Sequence, residues 1–134
     1  MGEFLNSWSP RILSVLRIIT GFLFLWHGSQ KLFSFPPPPP EMAAAPKGFL
    51  LFAGGLEFFG GLLILIGLFT RPVAFILSGM MAVAYWMGHG LTGKGFLPLV
   101  NGGELAVIYC FVFFYFFFAG GGPWSVDSLF KKNA

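Results

Sequence analysis

Cysteine is the first scarcity: Cys110 stands alone among 134 residues, so neither an internal disulfide nor a CxxC redox pair can form. Charge is nearly as sparse. Asp, Glu, Lys and Arg make up 10% of the chain, and the eight cations lie in ones and twos rather than along a stripe. Such spacing gives phosphates no track to follow, so no nucleic-acid partner is expected. No Gly-rich phosphate loop and no serine-nucleophile constellation occurs. The two histidines, His27 and His89, have no HxxxH spacing and no carboxylate cluster beside them, so no metal site is expected and no cofactor motif is evident.

What fills the chain instead is apolar: 56% hydrophobic and 19% aromatic, with a mean hydropathy of +0.79. That composition belongs to an integral membrane protein whose main partner is the lipid bilayer. A span needs about twenty apolar residues, and the runs at about 12–33, 48–69, 72–88 and 103–119 supply four. The expected fold is an all-α, four-transmembrane-helix antiparallel bundle forming a single domain over 1–134. Thr70, Arg71 and Pro72 leave so short a link that spans two and three must form a hairpin, with Pro72 in the first turn of the third. The loop 34–47 carries Pro36–Pro40 and is expected to run extended. The small-residue run Ala43–Ala45 lies too far beyond the first apolar segment for signal cleavage, so that segment is read as an uncleaved span.

With four spans, Arg11, Arg17, Arg71, Lys131 and Lys132 share one side, while Lys31, Lys47 and Lys94 share the other. Five cations against three place both termini in the cytoplasm by the positive-inside bias. In span two, Gly54 and Gly61 recur at seven residues, as do Gly60 and Gly67, which suits close helix approach.

Glu57 is the residue that most needs explaining, because a carboxylate near the middle of a span costs at least about 2.5–3.5 kcal/mol. In span one, Arg17, Thr20, Phe24, His27 and Lys31 follow a 3-4-3-4 spacing that puts them on one helical stripe, expected to face inward. Counting depth at about 1.5 Å per residue sets Glu57 near the level of Gly21, within reach of Arg17. A buried Arg17–Glu57 charge pair is therefore expected, either purely structural or taking part in transport or catalysis.

At the outer end, His27, Gln30 and Lys31 are expected near His89, Asn101 and Glu104. His27, Lys31, His89 and Glu104 are the candidate ligand-binding residues, with the imidazoles able to exchange a proton near neutral pH. The competing reading makes Lys31 and Glu104 an interfacial ion pair and lets Asn101 or Glu104 cap span four. No catalytic residue is assigned.

The ordered pieces Arg17-x3-Gly21-x5-His27-Gly28-x2-Lys31-Leu32, Gly55-Leu56-Glu57 with Gly60-Gly61, Gly67-Leu68-x-Thr70-Arg71, Asn101-Gly102-Gly103-Glu104 and Gly122-Pro123-x-Ser125-x-Asp127 resemble the DoxX family. The proline-rich first loop departs from that pattern. The resemblance implies a small bacterial inner-membrane protein of four helices, in a group that includes a subunit of a thiosulfate:quinone oxidoreductase. It implies a membrane oxidoreductase subunit, or an accessory to an oxidative- or thiol-stress system, with a redox protein partner and a quinone as the cofactor it admits. The alternative is a non-enzymatic assembly or small-solute transport protein. A lone cysteine weighs against self-contained redox chemistry, so whether the chain is an enzyme stays open.

Overall fold

The computed structural model describes residues 1–132; residues 133 and 134, the last two of the domain expected over 1–134, lie outside the described residues. Among the described residues there are helices and no strand. The chain divides into two compact units, one formed by residues 1–70 with those from 121 on, the other by residues 71–120. Among the described residues three helices are long and apolar enough to cross a bilayer, Gly2–Phe33, Lys47–Ile66 and Thr70–Gly90. This is an all-helical membrane protein. The fourth expected span corresponds to Glu104–Ala119, whose 16 residues give about 24 Å of helix, short of the roughly 30 Å hydrocarbon core.

In the first unit, helix α1 (Gly2–Phe33) packs against helix α2 (Lys47–Ile66) through glycines on both sides. A Cβ built on Gly28 would stand 2.3 Å from Phe58 N and 2.7 Å from Gly54 O, and one on Gly21 would stand 2.5 Å from Leu65 N. Returning the contact, a Cβ on Gly61 would stand 2.9 Å from Leu25 Cα. The two backbones meet where side chains are missing, which is how membrane helices gain van der Waals contact without a hydrophobic driving force. Between them, the loop is not extended throughout: Ser34 is left-handed at φ 56°, the chain bends at Pro36, Pro39 is extended, and a 3-10 turn takes over at Pro40–Ala44.

Helix α2 stops at Gly67 rather than continuing to Phe69, because Gly67 adopts φ +74° and Leu68 N reaches back to Leu63 O at 3.0 Å. Helix α3 (Thr70–Tyr85) then starts two residues earlier than the run at 72–88 suggests. A distant carboxylate explains the early start: Asp127 accepts from Phe69 N at 2.8 Å and from Thr70 N at 2.9 Å, satisfying donors that a helix start leaves orphaned. Asp127 N in turn donates to Gly67 O at 2.9 Å. Asp127→Ala should lower stability by about 1–2 kcal/mol, as loss of a helix cap does, read as a lower unfolding temperature in detergent. A melting curve unchanged from the parent would refute the cap.

The segment after Gly120 folds back along α1. Trp124 N donates to Ser14 Oγ at 3.0 Å, Ser14 Oγ donates to Gly121 O at 3.2 Å, and Gly122, at φ +80°, lies so close that a Cβ would stand 2.3 Å from Ser14 Oγ. The short helix α6 (Val126–Lys132) closes the described chain; α4 (Pro98–Asn101) and α5 (Glu104–Ala119) belong to the second unit. There Ser78 of α3 donates to the Cys110 carbonyl of α5 at 2.7 Å, and Phe75 meets Phe117 at 5.0 Å between ring centroids.

Candidate functional site

Glu57 has a partner, and it is Lys31 rather than Arg17. Lys31 Nζ donates to Glu57 Oε2 at 2.6 Å, with 16% of the lysine side chain and 7% of the glutamate side chain exposed. Helix register is the cause. With Gly28 against Phe58 and Gly54, and Gly21 against Leu65 and Gly61, Glu57 comes level with about residue 27 instead of Gly21. Gly54 leaves the space that Lys31 crosses, since a Cβ there would stand 2.8 Å from Lys31 Cβ.

Arg17, 1% exposed, spends its guanidinium on backbone carbonyls. Nε donates to Ile64 O at 2.9 Å, Nη2 to Trp124 O at 2.7 Å and to Leu65 O at 3.4 Å, and Nη1 to Gly121 O. Ile64 and Leu65 lie in the last turn of α2, where the macrodipole favours a cation, and Ile64 O accepts from Gly67 N at 3.1 Å as well as from Arg17. The expected Arg17–Glu57 pair is thus replaced by two separate solutions, a lysine for the carboxylate and a cage of carbonyls for the guanidinium. Beside that cage, Thr70 Oγ1 is the one buried side-chain N or O atom among the described residues with no hydrogen-bond partner.

The stripe on α1 is buried at Arg17, Thr20 and Phe24, as its spacing predicts. His27 and Lys31, further along it, are half-buried, and the His27 ring lies 6.5 Å from that of Phe24. His27, Lys31 and Glu57 form one polar cluster on the α1–α2 pair, His27 and Lys31 being one helical turn apart. Ammonium carries three protons, and among the described residues Glu57 takes Lys31's one side-chain hydrogen bond. Gln30, grouped with them by sequence, instead spends its amide on Pro37 O at 3.3 Å.

His89 and Glu104 lie in the second unit. A π-helical turn at Trp86–Gly90 follows α3 and turns His89 so that Nδ1 sits 3.1 Å from Asn101 O. A carbonyl only accepts, so Nδ1 carries the proton, and in neutral imidazole Nε2 is then an acceptor. Asn101, 5% exposed, is a fastening rather than a ligand-facing group: its amide donates to Tyr85 Oη and Gly95 O, each at 3.1 Å, while its Oδ1 accepts from Gly103 N at 2.9 Å. Tyr85 Oη donates onward to Phe96 O. Glu104 is exposed in the first turn of α5, where a carboxylate suits the helix dipole.

The second unit also carries a groove of about 510 Å³ bordered by Phe75, Ile76, Gly79, Phe111 and Phe114, away from His89 and Glu104 in sequence and nearly devoid of polar surface. Its one hydroxyl, from Ser78, is already committed to Cys110 O. Such a groove can hold an apolar chain but cannot orient a polar head. Among the described residues no cluster of three or more His, Cys, Asp or Glu side chains could hold a metal ion.

Lys31→Ala and Glu57→Ala should each cost about 3 kcal/mol, because each strands a poorly hydrated partner, and the double variant should recover more than half of the summed loss. Thermal unfolding of the three variants in detergent measures the coupling; strictly additive losses would contradict it.

A family model, DoxX, matches residues 12–90 of the chain. An uncharacterized protein of Haemophilus influenzae is 43% identical over 132 residues, an alignment covering 96% of this chain and 98% of the relative. No solved structure matches.

Proposed function

The chain belongs to the DoxX family, and on that premise we propose that it is a ligand-binding subunit of, or accessory to, a membrane oxidoreductase or oxidative- and thiol-stress system of the bacterial inner membrane. Its proposed setting is a four-helix antiparallel bundle with both termini in the cytoplasm, a reading supported by the five-to-three bias of cations. The single observation that carries the functional reading is the largely buried but unsaturated Lys31–Glu57 pair, with His27 one turn away on the same face. A fully buried, saturated pair would be only structural. Here Lys31 retains protons to donate to a carbonyl or carboxylate oxygen of a ligand, while Glu57 and His27 are groups that can exchange a proton beside it. A quinone, which would supply two-electron redox chemistry when bound, fits this donor set through its carbonyl oxygens. His89 and Glu104 are proposed as further ligand-binding residues on the second unit, His89 through the acceptor Nε2.

A second reading, a non-enzymatic assembly or small-solute transport protein, is favoured by the lone cysteine, which leaves any thiol pair to a partner. The test replaces His27 and His89 singly by Gln, and Lys31 and Glu104 singly by Ala, in a deletion strain challenged with oxidant or thiol stress. Folded variants should lose at least tenfold in survival; full protection by all four would sink the site. Mass spectra and optical spectra of the purified complex separate the two readings. A retained quinone or a redox-active partner supports the first, and neither supports the second.

A further inference from the structure

The Lys31–Glu57 pair leaves one carboxylate oxygen unused. Oε2 accepts from Lys31 Nζ at 2.6 Å and Oε1 accepts nothing, yet Oε1 is not sealed in, since the one buried side-chain N or O atom without a partner among the described residues is Thr70 Oγ1. The ammonium likewise keeps protons beyond the one it gives. An open acceptor and an open donor thus stand side by side on a single ion pair.

Apart from His27, the neighbouring turns of the first unit add no charge, and their hydroxyl and amide groups are spent. Thr20 Oγ1 donates to Leu16 O at 2.7 Å, Ser29 Oγ to Phe35 O, and Gln30 Nε2 to Pro37 O at 3.3 Å. The rest of the face is apolar or bare: Phe24 on α1 and Ala53, Gly54 and Gly61 on α2 are all buried. An oxyanion fits this poorly. The pair is already neutral, so a bound anion would leave a net negative charge whose desolvation nothing repays, and its several lone pairs would meet one ammonium that Glu57 already shares. A carbonyl uses the ammonium but leaves Oε1 facing a group that only accepts. A hydroxyl satisfies both, because its oxygen accepts from Nζ while its proton goes to Oε1.

We infer that the ligand of this site is uncharged and carries a hydroxyl of the phenol or quinol type, lodged between Lys31 and Glu57. That assignment, which rests on the pair being the ligand site of the proposed function, also separates the two forms of a quinone. The reduced form is held by both side chains, the oxidised form by Lys31 alone.

Probes that share one tail test it: para-octylphenol, para-octylanisole, which keeps the oxygen and loses the proton, and para-octylbenzoate, which is ionised at neutral pH where the phenol is not. Titration calorimetry of the full chain in detergent, with uptake by empty micelles subtracted, should show the phenol binding at least about tenfold tighter than either of the others, the worth of one hydrogen bond to a charged group. This measurement on the parent needs no variant to fold. Glu57→Gln keeps the length and removes the charge, so it should abolish the preference for phenol over benzoate and raise benzoate binding about tenfold. Anisole or benzoate bound by the parent as tightly as phenol, and weakened by Lys31→Ala, would overturn the hydroxyl and leave the site in place. Binding of no probe, or binding unmoved by both Lys31→Ala and Glu57→Gln, would overturn the site and the hydroxyl together.

Discussion

Arg17→Met should cost about 3–5 kcal/mol, the largest loss expected of any single side-chain change in this chain. Methionine matches the length and removes the expense of burying a charge, but it leaves the carbonyls of Ile64, Leu65, Gly121 and Trp124 without their shared donor. Arg17→Lys should recover only part of this, because an ammonium is a point charge and lacks the fork that serves carbonyls on two segments at once. Two readouts report the effect. The unfolding temperature in detergent should fall, and trypsin should cut more readily at Lys131 once the last segment loosens. A Met variant within about 1 kcal/mol of the parent would show that the cage does not hold the unit together.

Gly28→Ala is the second large effect, and it comes from adding one carbon. The new Cβ would lie 2.3 Å from Phe58 N and 2.7 Å from Gly54 O, both backbone atoms that no rotamer change can move aside. Helices α1 and α2 must separate, at a cost of about 3 kcal/mol, the upper end for overpacking, and Lys31 should lose its 2.6 Å approach to Glu57. Gly55→Ala is the control. A Cβ there meets nothing within 4 Å, so the change should be neutral or slightly stabilising through helix propensity. Equal melting temperatures for the two alanine variants would remove the close-packing account of the helix pair.

The apolar runs made the helical membrane architecture legible, and the 3-4-3-4 stripe from Arg17 to Lys31 correctly marked the inward face at Arg17, Thr20 and Phe24. Glu57 was legible as a charge needing a partner. Which partner depended on the depth of one helix against another, and counting from estimated span ends missed it by about six residues. A better signal was present. Gly21 and Gly28 are seven apart, as are Gly54 and Gly61, and laying one pair against the other in antiparallel sense gives the observed register and brings Lys31 to Glu57. Other features had no local signature. Asp127 caps a helix that starts 57 residues before it, and Arg17 binds carbonyls, groups that every residue carries and that no side-chain pattern can announce.

The carbonyl cage also imposes an order of events during synthesis. Arg17 is made before any of its partners: Ile64 follows by 47 residues and Trp124 by 107, and the whole second unit is translated between them. At about 5–20 residues per second, the wait for the final carbonyl is roughly 5–20 s. Until Ile64 and Leu65 are made the guanidinium has none of these partners, and its set stays incomplete until Gly121 and Trp124 arrive. One side chain thus ties the first helix the ribosome makes to a segment it makes among the last.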